Sequence, residues 1–423
     1  MQMIFPDRQH NHSNRLTLTA LLLILAACLP VRAASRPKIT ADSAILVDAA
    51  SGRILYEKNA HKKRPIASTT KIMTAMVAMD NCELEETTTV SRYAAAVDGS
   101  RLGLEAGEEI KMEALVKALL IKSANDAALA LAEHVGRTSR PAEERDKYSS
   151  DVNVGLFVDM MNNRAFESGA RETHFVNPHG LHDSKHYSSA YDLALLSRQA
   201  MKQPLFRQFV NMRSCSLKRP NGSEITFTNR NRLLFKDENV DGIKTGYVRQ
   251  SGRCLVASAS RDGWRLIAVL LDSADLWKDA EALLDYGFDN WEATVFATVQ
   301  EPLLEARVIG GKSQEIPVVA AKDLVEIRPP GKESSIAKKV ELKRLFAPIR
   351  QGEEVGRLWL FREGHQVGST RLLAAANMEQ ALWLVSIGIV GRIFLTIAVA
   401  VAGLKVYGKT AKIARRCRRR LSA

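Results

Sequence analysis

The chain has 423 residues, 46% of them hydrophobic, and a formal net charge of +13. That length is enough for two domains. The charge sits at the ends: residues 405–423 hold eight Lys or Arg and no acid, while residues 35–381 carry a net of only +2. A nearly neutral body gives no reason to expect nucleic acid as a partner.

Taken in order, the chain opens with an apolar run from Leu16 to Leu29 behind Arg8 and Arg15, followed by Val31-Arg32-Ala33. This pattern predicts an export signal over residues 1–34, cut after Ala33 or Ala34. Leu25-Ala26-Ala27-Cys28 also matches a lipoprotein box, which leaves lipid attachment at Cys28 as the alternative. Ser43–Asp48 and Arg53–Tyr56 flank Ala49-Ala50-Ser51-Gly52 and read as a hairpin. Ser68 follows Pro65 and opens an apolar run through Ile72, Met73, Ala75, Met76, Val77 and Met79. We expect a helix that starts near Ser68 and is apolar around most of its circumference, hence buried.

A loop-rich stretch leads to a helical pattern at Met112–Lys122, which Ser123-Ala124-Asn125 interrupts before a second helix at Asp126–Val135. Residues 137–153 are almost wholly polar and read as a solvated insertion. Helical patterns return at Leu156–Ser168 and Ala190–Lys202. Short β-type runs follow at Gly242–Tyr247, Cys254–Ser260 and Leu266–Leu271, and then a helix at Leu276–Phe288. Helices bracketed by terminal strands imply an α+β fold, an antiparallel sheet flanked by helices.

From about Thr294 to Ala376 short Val, Ile and Leu runs alternate with Gly and Pro turns, which predicts a small all-β domain. Leu382–Leu404 is 23 residues long with Arg392 as its only charge. As a helix it covers about 35 Å, enough to cross a bilayer. The basic tail would then be cytoplasmic. A helix lying in the membrane surface is the alternative. The resulting division is 1–34 signal, 35–292 catalytic, 293–376 β-rich, 381–404 membrane helix and 405–423 tail.

Ser68-Thr69-Thr70-Lys71 places an amine one helical turn from a hydroxyl. Burial disfavours the ammonium form, so Lys71 can act as a base and Ser68 as an activated nucleophile. Ser123-Ala124-Asn125 and Lys244-Thr245-Gly246 follow in that order, one in a turn between helices and one on a strand. Ser-x-x-Lys with partners of this kind marks serine acyl-transfer enzymes that react with penicillin. None of the three short motifs is specific alone; their order and settings together are.

On these motifs the chain resembles the D-alanyl-D-alanine carboxypeptidases, the low-molecular-mass penicillin-binding proteins. The likeness extends to Ser123–Ala128, Asn177-Pro178-His179-Gly180-Leu181, Ser188-Ser189-Ala190, Asn229-Arg230-Asn231 and Asp241–Gly246. It implies a β-lactamase/transpeptidase-like fold, a following β domain and a C-terminal membrane helix. It also implies a peptidoglycan pentapeptide as substrate, β-lactams as acylating ligands, and no cofactor or metal. Lys71 would deprotonate Ser68, and Ser123 would relay a proton to the leaving D-alanine. Asn125, Lys244, Thr245, Gly246 and Tyr247 would bind substrate, with the Ser68 and Tyr247 N–H groups holding the oxyanion. The protein would sit on the outer face of the cytoplasmic membrane.

Two departures stand out. Many relatives carry an arginine near Leu276 that grips the substrate carboxylate, a task left here to Arg249 or done less firmly. The 137–153 insertion is longer than usual. A D,D-endopeptidase, a β-lactamase and a catalytically weak peptidoglycan-binding protein are the alternatives. No Glu-bearing deacylation loop is evident, and the intact Ser68, Lys71, Ser123 and Lys244 speak against mere binding. His174, His179, His182 and His186 lack the spacing of a metal site. Cys82, Cys215 and Cys254 read as core thiols rather than a disulfide framework. Trp264, Trp277, Phe288 and Trp291 read as core.

Overall fold

The computed structural model describes residues 36–219, 222–299, 301–330, 336–381, 395–397 and 399–406. Met1–Lys38 forms one unit and Ile39–Ala423 another. The expected signal segment, the Cys28 lipidation site and most of the expected membrane helix lie outside the described residues. Residues 395–397 and 399–406 are helical, and among the described residues no helix is long and apolar enough to cross a membrane.

In chain order come β1 (Ser43–Asp48), β2 (Ile54–Lys58), α1 (Lys71–Asn81), β3 (Thr87–Thr89), α2 (Arg92–Ala95), β4 (Glu109–Lys111), α3 (Met112–Lys117) and α4 (Asn125–Thr138). Next are α5 (Ser150–Glu167), α6 (Ala190–Ala200), α7 (Pro204–Asn211), β5 (Ser214–Lys218), β6 (Glu224–Thr228), β7 (Val240–Val248), β8 (Gly252–Arg261), β9 (Trp264–Ser273) and α8 (Leu276–Asn290). The central sheet runs β2-β1-β9-β8-β7 with every pair antiparallel. The hairpin joining β8 to β9 turns on Asp262-Gly263, both at positive φ, a pair suited to a tight hairpin turn.

Side-chain alternation sorts the sheet into two cores. Val256, Ile267, Val269 and Leu271 face the cluster that holds α1 and α4, whereas Leu255, Leu266, Ala268 and Leu270 face Ala280, Leu283 and Leu284 of α8. Both faces are therefore covered, and β8 and β9 read as continuous apolar runs for that reason. This is the α+β architecture expected. α1 buries eight of its eleven residues, as its all-round apolar pattern demands, and α4 buries eleven of fourteen.

Several boundaries differ from expectation. The Met112–Lys122 pattern divides into α3 and a π turn at Ala118–Lys122, which ends with Ser123 in the left-handed region at φ 65°. A non-glycine residue there is strained, and such strain gathers at functional sites. The polar insertion links the C-terminus of α4 to α5, about 20 Å of helix away from the Ser123 turn, and it does not line the cleft. Helix α7 and the β5–β6 hairpin have no counterpart in the sequence reading. Asn221-Gly222 was the available signal for the hairpin.

Beyond α8, β10 (Glu292–Ala297) pairs with β13 (Leu324–Arg328). A six-stranded sheet follows, built from β11 (Leu304–Ile309), β12 (Glu315–Ala320), β14 (Ile336–Leu342), β15 (Leu345–Phe346), β16 (Glu354–Arg362) and β17 (His365–Ala374). Its own core includes Val318, Val355, Leu358 and Leu372. Met378 is part of that core, and Met378 and Gln380 bridge to Ile349 and Gly311.

Cys215 and Cys254 are buried free thiols and Cys82 is a half-buried one. Trp264 meets Phe288 edge-on at 5.4 Å and donates to Asp48.

Candidate active site

Ser68 lies on a short 3-10 turn, Ala67–Thr70, that runs into α1. The sequence suggested Ser68 as the residue capping that helix, but its side chain caps nothing. Thr69 and Thr70 stiffen the turn instead, their hydroxyls donating to the Ile66 and Ala67 carbonyls at 2.7 Å each. Ser68 is thereby left half-buried at the cleft, with its hydroxyl not spent on a helix cap.

Lys71 is fully buried, and its Nζ has three oxygens around it: Ser68 Oγ at 3.0 Å, Asn125 Oδ1 at 2.7 Å and the His179 carbonyl at 2.7 Å. The Asn125 amide nitrogen donates to the Asp98 carbonyl at 2.6 Å, which fixes Oδ1 toward Lys71. Burial lowers the Lys71 pKa well below the usual lysine value, and the positive charges of Lys244 and Arg230 lower it further. A neutral amine has two N–H groups and one lone pair. Asn125 Oδ1 and the His179 carbonyl can only accept, so they take both N–H groups. The lone pair then faces the Ser68 hydroxyl, the arrangement a general base needs.

The His179 carbonyl is held by its own loop. Asn177 Oδ1 accepts from the Gly180 N–H at 2.7 Å, and Thr74 binds the Pro178 carbonyl at 2.6 Å. Gly180 sits at φ +84°, and a Cβ there would lie 2.0 Å from the Ala67 carbonyl oxygen. His186 stands behind Ser68, its Nε2 2.8 Å from Thr70 Oγ1 while Nδ1 accepts from the Val176 N–H at 3.1 Å. Burial pushes its pKa down to about 4 and that of His179 to about 3, so both rings are neutral at pH 7. No group of three or more metal-binding side chains occurs among the described residues.

The second motif enters through the π turn. Ser123 lines the cleft, and Asp126, the second residue of α4, is fully buried and accepts backbone N–H groups from Leu102, Gly103 and Leu104. That carboxylate ties the loop bearing Gly99 and Ser100, both cleft-lining, to the start of α4.

The third motif lies on β7. A Cβ on Gly246 would fall 3.0 Å from both the Ser68 nitrogen and the Ile66 carbonyl, so the strand passes against the Ser68 amide. Lys244 is 1% exposed and donates to the Thr245 carbonyl at 3.1 Å. Burial first, and the Arg230 charge second, push its pKa down to about 7. Thr245 and Tyr247 face the cleft, Tyr247 being 67% exposed.

The sequence-derived residues Ser68, Ser123, Asn125, Thr245, Gly246 and Tyr247 all line one cavity of about 1100 Å³, and Lys71 and Lys244 lie beneath it. Asn125 also has contacts that the sequence did not suggest, its amide engaging Lys71 Nζ and the Asp98 carbonyl. Trp277, read as core, packs against the α8 cluster and lines this cavity too. Arg230 and the His179 carbonyl were missed as charge and hydrogen-bond partners of the lysines, although the Asn229-Arg230-Asn231 and Asn177–Leu181 segments had stood out.

Residues 31–275 match the family model described as D-alanyl-D-alanine carboxypeptidase. The chain belongs to the D-alanyl-D-alanine carboxypeptidase family. Residues 293–380 match the C-terminal domain of penicillin-binding protein 5. Among relatives in this carboxypeptidase family, the D-alanyl-D-alanine carboxypeptidase DacD of Escherichia coli is 34% identical over 81% of this chain and 88% of its own length. The Bacillus subtilis carboxypeptidase DacF is 31% identical over 81% and 86%. The crystal structure of penicillin binding protein 5 from Haemophilus influenzae superimposes with a TM-score of 0.62 at 29% identity. It covers 82% of this chain and 100% of that one.

Proposed function

We propose that this serine-type D-alanyl-D-alanine carboxypeptidase uses Ser68 as nucleophile, Lys71 as base and Ser123 as proton relay. It removes the terminal D-alanine from peptidoglycan stem peptides. The observation that carries the assignment is the buried Lys71 amine, with two acceptor-only oxygens at 2.7 Å from Nζ and Ser68 Oγ at 3.0 Å.

Lys71 takes the Ser68 proton as Oγ attacks the carbonyl carbon of the penultimate D-alanine. The Ser68 and Tyr247 N–H groups hold the oxyanion. The C–N bond then breaks, and Ser123 passes a proton to the departing amine. Water hydrolyses the ester by the reverse relay, returning the proton to Ser68. Thr245 and the Lys244 charge receive the substrate carboxylate. Asn125 holds Lys71 and the substrate peptide, while Gly246 lets the peptide approach β7. β-Lactams acylate the same serine.

We further infer export through residues 1–34 and anchoring on the outer face of the cytoplasmic membrane by residues 381–404, with 405–423 in the cytoplasm. The catalytic part is 35–292 and the β-rich part starts at 293. We set its end at Ala381, because Met378 and Gln380 pair within it. Labelling by fluorescent penicillin together with release of D-alanine tests the assignment. Ser68→Ala should abolish both, and undiminished labelling would place the nucleophile elsewhere.

A further inference from the structure

The cleft is strongly cationic. Arg230, Arg232, Arg249 and Arg253 line it against a single acid, Asp275, and among the described residues none of the four arginines has a carboxylate within 4.0 Å. Unneutralised arginines around a cavity favour anionic ligands. They do not occupy equivalent places.

Arg230 hydrogen-bonds Ser100 Oγ at 2.9 Å, and its charge lowers the pKa of both Lys71 and Lys244. Its place is therefore beside the catalytic amines. Arg249 lies in the turn beyond the end of β7, and Arg232 lies past β6 in the segment that leads toward β7. Arg253 alone of the four is on a strand of the central sheet. It pairs directly across from Tyr247 in the β7–β8 ladder, so its side chain shares a face with Tyr247 and, one diagonal step away, with Thr245. That diagonal is roughly 7–8 Å, within reach of an arginine.

One guanidinium N–H of Arg253 is already fixed, donating to the Ala274 carbonyl at 2.8 Å. Ala274 is two residues ahead of Leu276, whose apolar side chain opens α8 at the cleft wall and cannot hold an anion. An arginine has five N–H donors in a planar fork, so this anchor aims the rest while leaving them free for a bidentate carboxylate contact.

We propose that Arg253 joins Thr245 and the Lys244 charge in gripping the free C-terminal carboxylate of the substrate, and so restricts cutting to a chain end. The proposal rests on the carboxypeptidase reading of the site. The anchoring by Ala274 also favours Arg253 over Arg249, since a side chain already held loses less rotamer freedom on binding.

The test uses the purified full chain and a pair of acyl-D-alanyl-D-alanine peptides, one with a free C-terminal carboxylate and one amidated there, with kcat and KM measured separately. The wild type should prefer the free acid. Arg253→Gln should raise KM for the free acid at least about tenfold, with kcat changed less and hydrolysis of the amide unaltered. Arg253→Lys keeps the charge without the fork and should fall between the two. An unchanged ratio of free acid to amide in Arg253→Gln overturns the proposal, as does a larger loss in Arg249→Gln. A wild type that releases neither D-alanine from the free acid nor D-alaninamide from the amide overturns the carboxypeptidase reading itself, and this proposal with it.

Discussion

Asn125 Oδ1 stands 2.7 Å from Lys71 Nζ, held there because the other end of the same amide donates to Asp98. The amide accepts from the amine without charging it. Asn125→Asp keeps the shape but puts a carboxylate beside the amine, which favours the ammonium form. The acid limb of the pH profile for penicillin acylation should move up by roughly one to three pH units, narrowing the active range against the alkaline limb. A uniform loss at every pH would assign Asn125 to substrate binding alone.

Lys71→Arg should be inactive at every accessible pH, since a guanidinium does not give up its proton. Stopped-flow acylation by a chromogenic cephalosporin reads this directly. A variant retaining a tenth or more of the wild-type rate would mean that Lys71 acts through charge and not as a base.

Gly246→Ala adds a methyl group 3.0 Å from the Ser68 nitrogen and from the Ile66 carbonyl, both backbone atoms. Overpacking of this kind costs about 1–3 kcal/mol. The strand and the nucleophile turn must part to accept it, so kcat/KM should fall roughly ten- to a hundredfold. Thermal unfolding and acylation measured together separate a displaced site from a lost fold. Full activity would show that β7 does not need its close approach.

In the proposed mechanism Lys244 serves as a cation, and burial with the nearby Arg230 brings its pKa down to about 7. It loses its charge as pH rises through that value, so kcat/KM for the free enzyme should decline on the alkaline side from about pH 7. On the acid side the decline comes from protonation of Lys71. Arg230→Gln removes a repelling charge and should carry the alkaline limb to higher pH. A limb that stays in place would assign it to another group.

Truncation after Ala381 should release a soluble enzyme that still yields D-alanine, whereas the full chain should stay in membranes through alkaline carbonate. Cutting at residue 377 instead deletes Met378, which is buried in the β-rich core. That shorter form should melt at a lower temperature. Extraction of the full chain by carbonate would replace a spanning helix with a surface-bound one.

Much of the architecture was legible because its signals are local. The apolar runs of β8 and β9 and the all-round apolar α1 state their burial in consecutive residues. Helix α7 escaped notice because it spans eight residues and begins at Pro204, although Phe206, Phe209 and Val210 give it one buried face. The three motifs carried the site for a similar reason, each being a run of three or four consecutive residues. What holds them in place was hidden. The His179 carbonyl meets Lys71 across 108 residues of sequence, and backbone carbonyls leave no trace in residue type. The Arg253–Ala274 contact is of the same kind, so the sequence could count arginines without telling which one was anchored.

Two lysines lie fully buried in one domain, and the unfolded chain would hold both as ammonium ions in water. Folding therefore expels protons wherever the folded value lies below the ambient pH. For Lys244 the penalty is complete below about pH 7 and vanishes above the ordinary lysine value of 10.5, and Lys71 adds a contribution of the same sign. The resting protein should thus gain resistance to unfolding as the medium turns alkaline between those limits. In that window its reactivity through Lys244 declines, so the charge that serves the reaction is one the fold would shed.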